Sequence, residues 1–89
     1  MRFKWDSKKN EKLKRERGLG FEDVGQLFEK PYHLSQKNDE PEQWRAIGWT
    51  NEKLVALIYE EREDEGGGFY WFITFWPATK AERERYGEK

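Results

Sequence analysis

The sequence lacks cysteine and has a single histidine, His33, which excludes disulfides and any metal site built from cysteine or several histidines. It also has no apolar run close in length to a membrane-spanning helix, which needs ~20 residues. The first residues are charged from Arg2 onward, unlike a signal peptide. Gly66-Gly67-Gly68 is not followed by the lysine of a phosphate-binding loop. We therefore expect a cytoplasmic protein that uses no metal and no cofactor.

What the chain does have is charge and aromatic rings. Its 89 residues are 39% charged and 17% aromatic, and the rings argue against disorder. The length predicts one domain over residues 1–89. Residues 2–17 hold eight basic and three acidic side chains, whereas the rest holds nine basic and fifteen acidic ones. Such a basic end can attract phosphates, although a solvated helix of mixed charge would look the same.

The first third of the sequence predicts a strand and two helices. Apolar and basic residues alternate over residues 2–5, as in a short half-buried strand. Asp6 or Ser7 can cap a helix over 8–17, and Gly18 fits its left-handed end. A second helix, ended by Pro31, has four apolar residues on one face: Phe21, Val24, Leu27 and Phe28.

The remaining sequence predicts four strands and a helix. The strands are Tyr32–Gln36, Trp44–Trp49, a central one at Leu54–Tyr59, and Phe69–Trp76. We expect Glu60–Gly68 to be a mobile loop. Thr79 and Glu82 form a capping box for a helix over Lys80–Tyr86. The order β-α-α-β-β-β-β-α is typical of an α+β domain with a small antiparallel sheet.

The last predicted strand is aromatic on both faces. Strict alternation puts Tyr70, Phe72, Thr74 and Trp76 on one face, and Phe69, Trp71, Ile73 and Phe75 on the other. Helices can cover one face. The second needs the C-terminal helix, a second copy of the chain in a homodimer, or another partner. If Trp71 and Trp76 are exposed, the strand is a binding patch.

From composition alone, the favoured interpretation is that the rings form the core and the cations are solvated, but the side chains present would also allow metal-free cleavage of RNA. That reaction needs cations to stabilise charge on the phosphate, and a tyrosine or carboxylate to move protons. The available residues are Lys9, Arg17, Arg45, Arg62, Arg83 and Tyr86. Aromatic rings beside them could stack bases.

An ordered set of short motifs resembles the BrnT (DUF497) family of toxins over nearly the whole chain. The motifs are Phe3-Lys4-Trp5-Asp6, Lys9, Gly18, Phe21-Glu22, Phe28 with Pro31, Arg45-Ala46-Ile47-Gly48, Leu54–Tyr59, Glu61-Arg62, Ile73-Thr74, Ala78-Thr79, Glu82-Arg83 and Tyr86. The resemblance implies a RelE-like fold and a ribonuclease toxin that acts without metal. It also implies an antitoxin of the ribbon-helix-helix type that binds DNA and covers the toxin.

The resemblance suggests a role for each matching position. Lys9 and Arg17 would hold the phosphate, Arg45 and Arg83 would stabilise charge, and Tyr86 would position or transfer a proton. Arg62, Trp71 and Trp76 would contact RNA.

Several positions depart from the family pattern. Arg17 replaces a usual histidine, Trp71 and Trp76 replace usual arginines, and Pro77 replaces a common basic residue. The alternative function is therefore a catalytically weak relative that binds protein or RNA through its aromatic last strand.

Overall fold

The computed structural model describes residues 1–87 and has the predicted order of elements. The strands are β1 (Arg2–Trp5), β2 (His33–Asp39), β3 (Glu42–Trp49), β4 (Leu54–Asp64) and β5 (Gly67–Pro77). The helices are α1 (Ser7–Arg17), α2 (Phe21–Val24), continued by a 3₁₀ segment (Gly25–Glu29), and α3 (Lys80–Gly87). The α+β class is confirmed. Two residues of the predicted 1–89 domain, 88 and 89, lie outside the described residues.

The five strands form one sheet in the order β1-β5-β4-β3-β2. β4 lies at its centre, as its apolar sequence predicted. The pairs from β2 to β5 are antiparallel, but β1 runs parallel to β5, with Phe3 opposite Tyr70. The sheet is therefore mixed rather than wholly antiparallel.

The ends of α1 follow the predicted chemistry. The Asp6 carboxylate accepts hydrogen bonds from the backbone N–H groups of Lys8 (2.9 Å) and Lys9 (3.4 Å). Gly18 ends the helix with φ +80°, which a glycine adopts without steric cost. The second predicted helix is shorter than its apolar spacing suggested, since α2 gives way to the 3₁₀ segment at Gly25. A Cβ at Gly25 would lie 3.0 Å from the Phe3 ring, so the small residue permits this close approach.

The prediction of a long mobile loop over Glu60–Gly68 is wrong. β4 continues to Asp64 and β5 begins at Gly67, which leaves a tight turn at residues 65–66. The Asp64 carboxylate accepts hydrogen bonds from the Arg2 and Lys4 side chains and from the backbone N–H of Gly66. The acidic composition of this segment does not indicate the β4–β5 pairing, because the cations that bind Asp64 come from β1, at the other end of the chain.

Strict alternation along β5 is also wrong, because the strand contains a β-bulge. Ile58 of β4 pairs with Thr74, whereas the next residue, Tyr59, pairs with Phe72. Ile73 is therefore the extra residue, and an extra residue in one strand resets the alternation beyond it. As a result, Phe72 and Phe75 point to the same face of the sheet.

The sheet has one closed face and one open face. The closed face packs under α1, α2 and the 3₁₀ segment, with a buried core of Leu13, Phe21, Val24, Leu27, Ala46, Val55, Leu57, Tyr59, Phe72 and Phe75. On the opposite side, α3 covers a smaller cluster of Ile47, Leu54, Ala56, Trp76, Ala78 and Tyr86. The rest of that side, the open face, carries Arg45, Glu60, Arg62, Trp71 and Thr74.

No helix within residues 1–87 has the length and apolar character needed to cross a membrane.

Candidate functional site

A buried carboxylate joins α3 to the sheet beside the open face. Glu82 is 8% exposed, and its Oε1 accepts hydrogen bonds from Trp76 Nε1 (2.9 Å) and the Thr79 backbone N–H (2.9 Å). The Glu82 backbone N–H donates to Thr79 Oγ1 at 3.2 Å, which completes the predicted capping box. Glu82 Oε2 lies 3.7 Å from Arg45 Nε. One side chain thus caps the helix, fixes an indole on β5 and faces a cation on β3.

Arg45 is the cation that this arrangement places on the open face. It lies on β3 between Ser35 of β2 and Ile58 of β4, and its side chain is 24% exposed. Its Nε is buried and makes no hydrogen bond within residues 1–87. The 3.7 Å separation from Glu82 is an ion pair without a hydrogen bond. Arg45 therefore carries a donor that no acceptor within residues 1–87 uses.

A second polar group lies one row further along the same face. Arg62 donates to Glu60 Oε1 from Nε (3.0 Å) and Nη2 (2.7 Å), and Gln43 Nε2 donates to Glu60 Oε2 (2.8 Å). The hydrogen bonds from Gln43 and Arg62 hold the pKa of Glu60 below its ordinary value. The Arg62 guanidinium carbon lies 4.9 Å from the centroid of the Trp71 ring. This cation–π pair holds the guanidinium, which is also ion-paired with Glu60, against an indole on the open face.

The end of the open face near the β4–β5 turn carries two more cations. Arg2 Nη2 lies 2.7 Å from Asp64 Oδ1, and Lys4 Nζ also pairs with this carboxylate. Hydrogen bonds from Arg2 and then Lys4 hold the pKa of Asp64 well below its usual range. The Lys4 ammonium lies 4.6 Å from the centroid of the Phe69 ring. Asp64 therefore stays ionised and fixes both cations on this face.

The structure brings some of the sequence-predicted site residues together and separates others. Four share the side of the sheet that carries α3: Arg45, Arg62, Trp71 and Trp76. Both indoles are half-buried. The aromatic patch therefore exposes less apolar surface than two fully exposed indoles would.

The predicted residues of α3 flank this group. Tyr86 packs on the same apolar cluster as Trp76, and its hydroxyl donates to the Pro31 carbonyl oxygen at 3.3 Å. Arg83 is exposed on α3. Tyr86 therefore lies on the side of the sheet that carries α3, and Arg83 belongs to the same helix.

Lys9 and Arg17 lie elsewhere. They belong to α1, whose Leu13 is part of the core under the closed face, so they do not share a face with Arg45. Arg17 Nε is buried without a hydrogen bond inside residues 1–87, and the Arg17 carbonyl oxygen accepts from Lys53 Nζ at 3.4 Å. The expectation that all these cations surround one phosphate has no support in this placement.

Sequence reasoning missed four polar residues on the open-face side of the sheet. His33 and Ser35 lie on the edge strand β2. Glu60 accepts hydrogen bonds from the Arg62 guanidinium and from Gln43. Alternation in β2 puts His33 and Ser35 on one face. That signal was available, but the strand is too polar to show which of its faces meets the sheet's core.

No three His, Cys, Asp or Glu side chains within residues 1–87 are grouped so that they could hold a metal ion.

A family model described as "Ribonuclease toxin, BrnT, of type II toxin-antitoxin system" matches residues 5–82. A comparison with individual curated proteins gives no match. The family match covers α1, the whole sheet except the first residues of β1, and the start of α3. The chain therefore belongs to the BrnT family, the ribonuclease toxins of type II toxin–antitoxin systems.

Proposed function

We propose that this protein cleaves RNA without a metal on the open face of its sheet, in the cytoplasm, and that a DNA-binding antitoxin of the ribbon-helix-helix type neutralises it. The observation that carries the proposal is Arg45. It is a cation on the sheet whose buried Nε has no hydrogen-bond acceptor among residues 1–87. A phosphate in the RNA backbone supplies both the negative charge and the acceptor oxygens that this group needs.

The proposed reaction is an internal transfer at the phosphate. The ribose 2′-hydroxyl loses its proton and its oxygen attacks phosphorus, which breaks the bond to the 5′-oxygen. The products are a 2′,3′-cyclic phosphate and a 5′-hydroxyl, which takes up a proton. Arg45 and Arg83 stabilise the charge that develops on the phosphate oxygens. Tyr86 of α3 positions or transfers a proton.

The remaining cations and rings bind the rest of the RNA. The Arg62–Trp71 pair stacks on a base next to the cleaved bond, since every base presents a π-face to such a surface. Trp76 donates a hydrogen bond to Glu82 and so holds this carboxylate opposite Arg45. Lys9 and Arg17 on α1 attract flanking phosphates from the other side of the sheet, through charge rather than through contact with the reacting atoms.

The test is cleavage of a labelled RNA by the purified chain in the presence of a metal chelator. We expect cleavage that falls by on the order of 10²–10³ in Arg45→Gln, the usual cost of losing one group that stabilises transition-state charge. Arg85→Gln is the matched control, because it removes the same charge from an exposed arginine on α3. Intact RNA with the folded wild-type chain would contradict the proposal. So would equal activity of the Arg45 variant.

The second candidate function is RNA binding without cleavage, which the Arg62–Trp71 pair favours. Stacking on a base needs no proton transfer, and each stacked base contributes about 1–3 kcal/mol. The discriminating measurement uses an oligoribonucleotide whose 2′-hydroxyls are methylated, so that it cannot be cut. Binding of this RNA together with intact normal RNA would support the second function over the first.

A further inference from the structure

Three polar atoms on one face of the neighbouring strands β2 and β3, the face that carries α3, are buried without a hydrogen bond among residues 1–87. They are His33 Nδ1, Ser35 Oγ and Arg45 Nε. Ser35 pairs directly with Arg45 across β2 and β3, and His33 pairs with Ile47 two residues further along. Paired residues project from the same face, so all three side chains meet on the side of the sheet that carries α3. Directly opposed Cβ atoms lie about 5 Å apart, and the next residue on that face lies about 7 Å along the strand.

Three such atoms in adjacent positions call for a common partner outside the chain. Native proteins satisfy roughly 90% or more of their buried polar groups, because an unmet donor or acceptor costs stability. The Glu82 carboxylate does not fill this role. Its Oε1 accepts from Trp76 and Thr79, and its Oε2 stays 3.7 Å from Arg45 Nε.

The chemistry of the three groups defines the missing partner. A guanidinium carries a fixed positive charge and only donates hydrogen bonds, a hydroxyl donates one, and an imidazole donates from one nitrogen. A partner that suits all three is negatively charged and accepts several hydrogen bonds from different directions. A tetrahedral phosphate with its oxygen atoms has these properties, and arginine is well suited to phosphate recognition.

We propose that His33, Ser35 and Arg45 form a binding subsite for one phosphate of an RNA backbone. The subsite lies on β2 and β3 at the edge of α3. The row that holds Gln43 and Glu60 is the next one on this face, about 7 Å away along the strands. A phosphate at Arg45 therefore places the attached nucleotide within reach of the Arg62–Trp71 surface. The inference deepens the proposed function by locating a phosphate, but binding there does not require cleavage.

The experiment uses His33 as its own reporter. Because it is the sole histidine in the chain, its ring C–H signals in a proton NMR spectrum are unambiguous. We expect these signals to shift and saturate when inorganic phosphate is added, with sodium chloride at equal ionic strength as the control for screening. The 2′-O-methyl oligoribonucleotide should shift the same signals at lower concentration, since further contacts support its binding.

Variants separate the subsite from general attraction to a basic protein. Ser35→Ala and Arg45→Gln should each raise the phosphate concentration at half-saturation about tenfold, roughly the effect of losing one charge-assisted hydrogen bond. Arg85→Gln removes an equal charge from an exposed position and should leave it unchanged. A circular dichroism spectrum of each variant confirms that it is folded. His33 signals that ignore phosphate, or that respond equally in Arg45→Gln, overturn the subsite.

The subsite and the proposed function can fail separately. RNA cleavage by a chain whose His33 signals ignore both phosphate and the methylated RNA would refute the subsite and leave the ribonuclease proposal intact. Saturable phosphate binding by a chain that leaves RNA uncut would support the subsite and refute cleavage.

Discussion

The two faces of this sheet differ in packing and in polarity. On the closed face, Phe72 is 1% exposed. The centroid of its ring lies 4.9 Å from that of Phe3, 5.8 Å from that of Phe21 and 5.9 Å from that of Trp5. On the open face, cations lie over rings and beside carboxylates, and the buried Nε of Arg45 makes no hydrogen bond among residues 1–87. Apolar packing stabilises one face, while the other keeps unused hydrogen-bonding capacity. Stability and binding can therefore be changed independently.

The bulge at Ile73 makes this division possible. It lets Phe72 and Phe75 both enter the closed core while Trp71, Thr74 and Trp76 stay on the opposite side. With strict alternation, Phe72 and Phe75 would lie on different faces, and one large ring would leave the core.

The largest difference between the faces should appear on truncation of a buried ring. We expect Phe72→Ala to lower the free energy of unfolding by about 3–5 kcal/mol, because it removes a large side chain and leaves a cavity. Thr74→Ala, two residues away on the open face, should change it by about 1 kcal/mol or less. Urea unfolding followed by tryptophan fluorescence measures both. Similar losses in the two variants would mean that the faces do not differ in packing.

Glu82 offers a smaller but sharper test, because it contributes to both kinds of role. Glu82→Ala removes the helix cap and leaves Trp76 Nε1 without its acceptor, so we expect a loss of about 1–3 kcal/mol in unfolding free energy. Glu82→Gln keeps an amide oxygen for both donors and should cost less. It also removes the negative charge that faces Arg45, so its affinity for phosphate should rise. Urea unfolding and phosphate titration test the two effects, and weaker phosphate binding by a stable Glu82→Gln variant would contradict the second.

The fold was largely predictable because its signals are local. The capping chemistry of Asp6 and Glu82 and the apolar run of β4 each depend on a few adjacent residues. These signals predicted the order of elements and the central strand. They did not predict the parallel pairing of β1, which joins residues more than 60 positions apart in the chain.

The site was less predictable because it depends on register. The residue types were available in the sequence, but Arg45 meets Ser35 only through the pairing of β2 with β3. The bulge at Ile73 changes which side chains of β5 share a face, and no local composition marks it. Similarly, the cation over Trp71 comes from the neighbouring strand, in a segment whose acidic composition predicted a loop.

Trp71 tests whether the open face binds through its rings. We expect Trp71→Ala to change stability by about 1 kcal/mol or less, since the indole is half-buried. Its affinity for the methylated oligoribonucleotide should fall about tenfold, corresponding to the low end of the stacking range of about 1–3 kcal/mol. Trp71→Phe keeps an aromatic face under Arg62 and should retain most of the affinity. Fluorescence anisotropy of labelled RNA gives both values, and unchanged binding by Trp71→Ala would exclude this surface.

The smallest effect should come from Asp64, at the exposed end of the open face, and it should depend on pH. Arg2 and Lys4 lower the pKa of its carboxyl below the unfolded value of about 3.9, so the ion pairs stabilise the folded state above that pH. As pH falls below about 4 the contribution declines, and it is lost as the folded carboxyl takes up its proton. Wild type should therefore exceed Asp64→Asn in stability at pH 7, by a margin that shrinks in acid and in high salt. The urea midpoints of both proteins between pH 7 and pH 2 measure this margin. A gap that stays the same from pH 7 to pH 2 and in high salt would mean that Asp64 acts through the geometry of its turn rather than through the charges of Arg2 and Lys4.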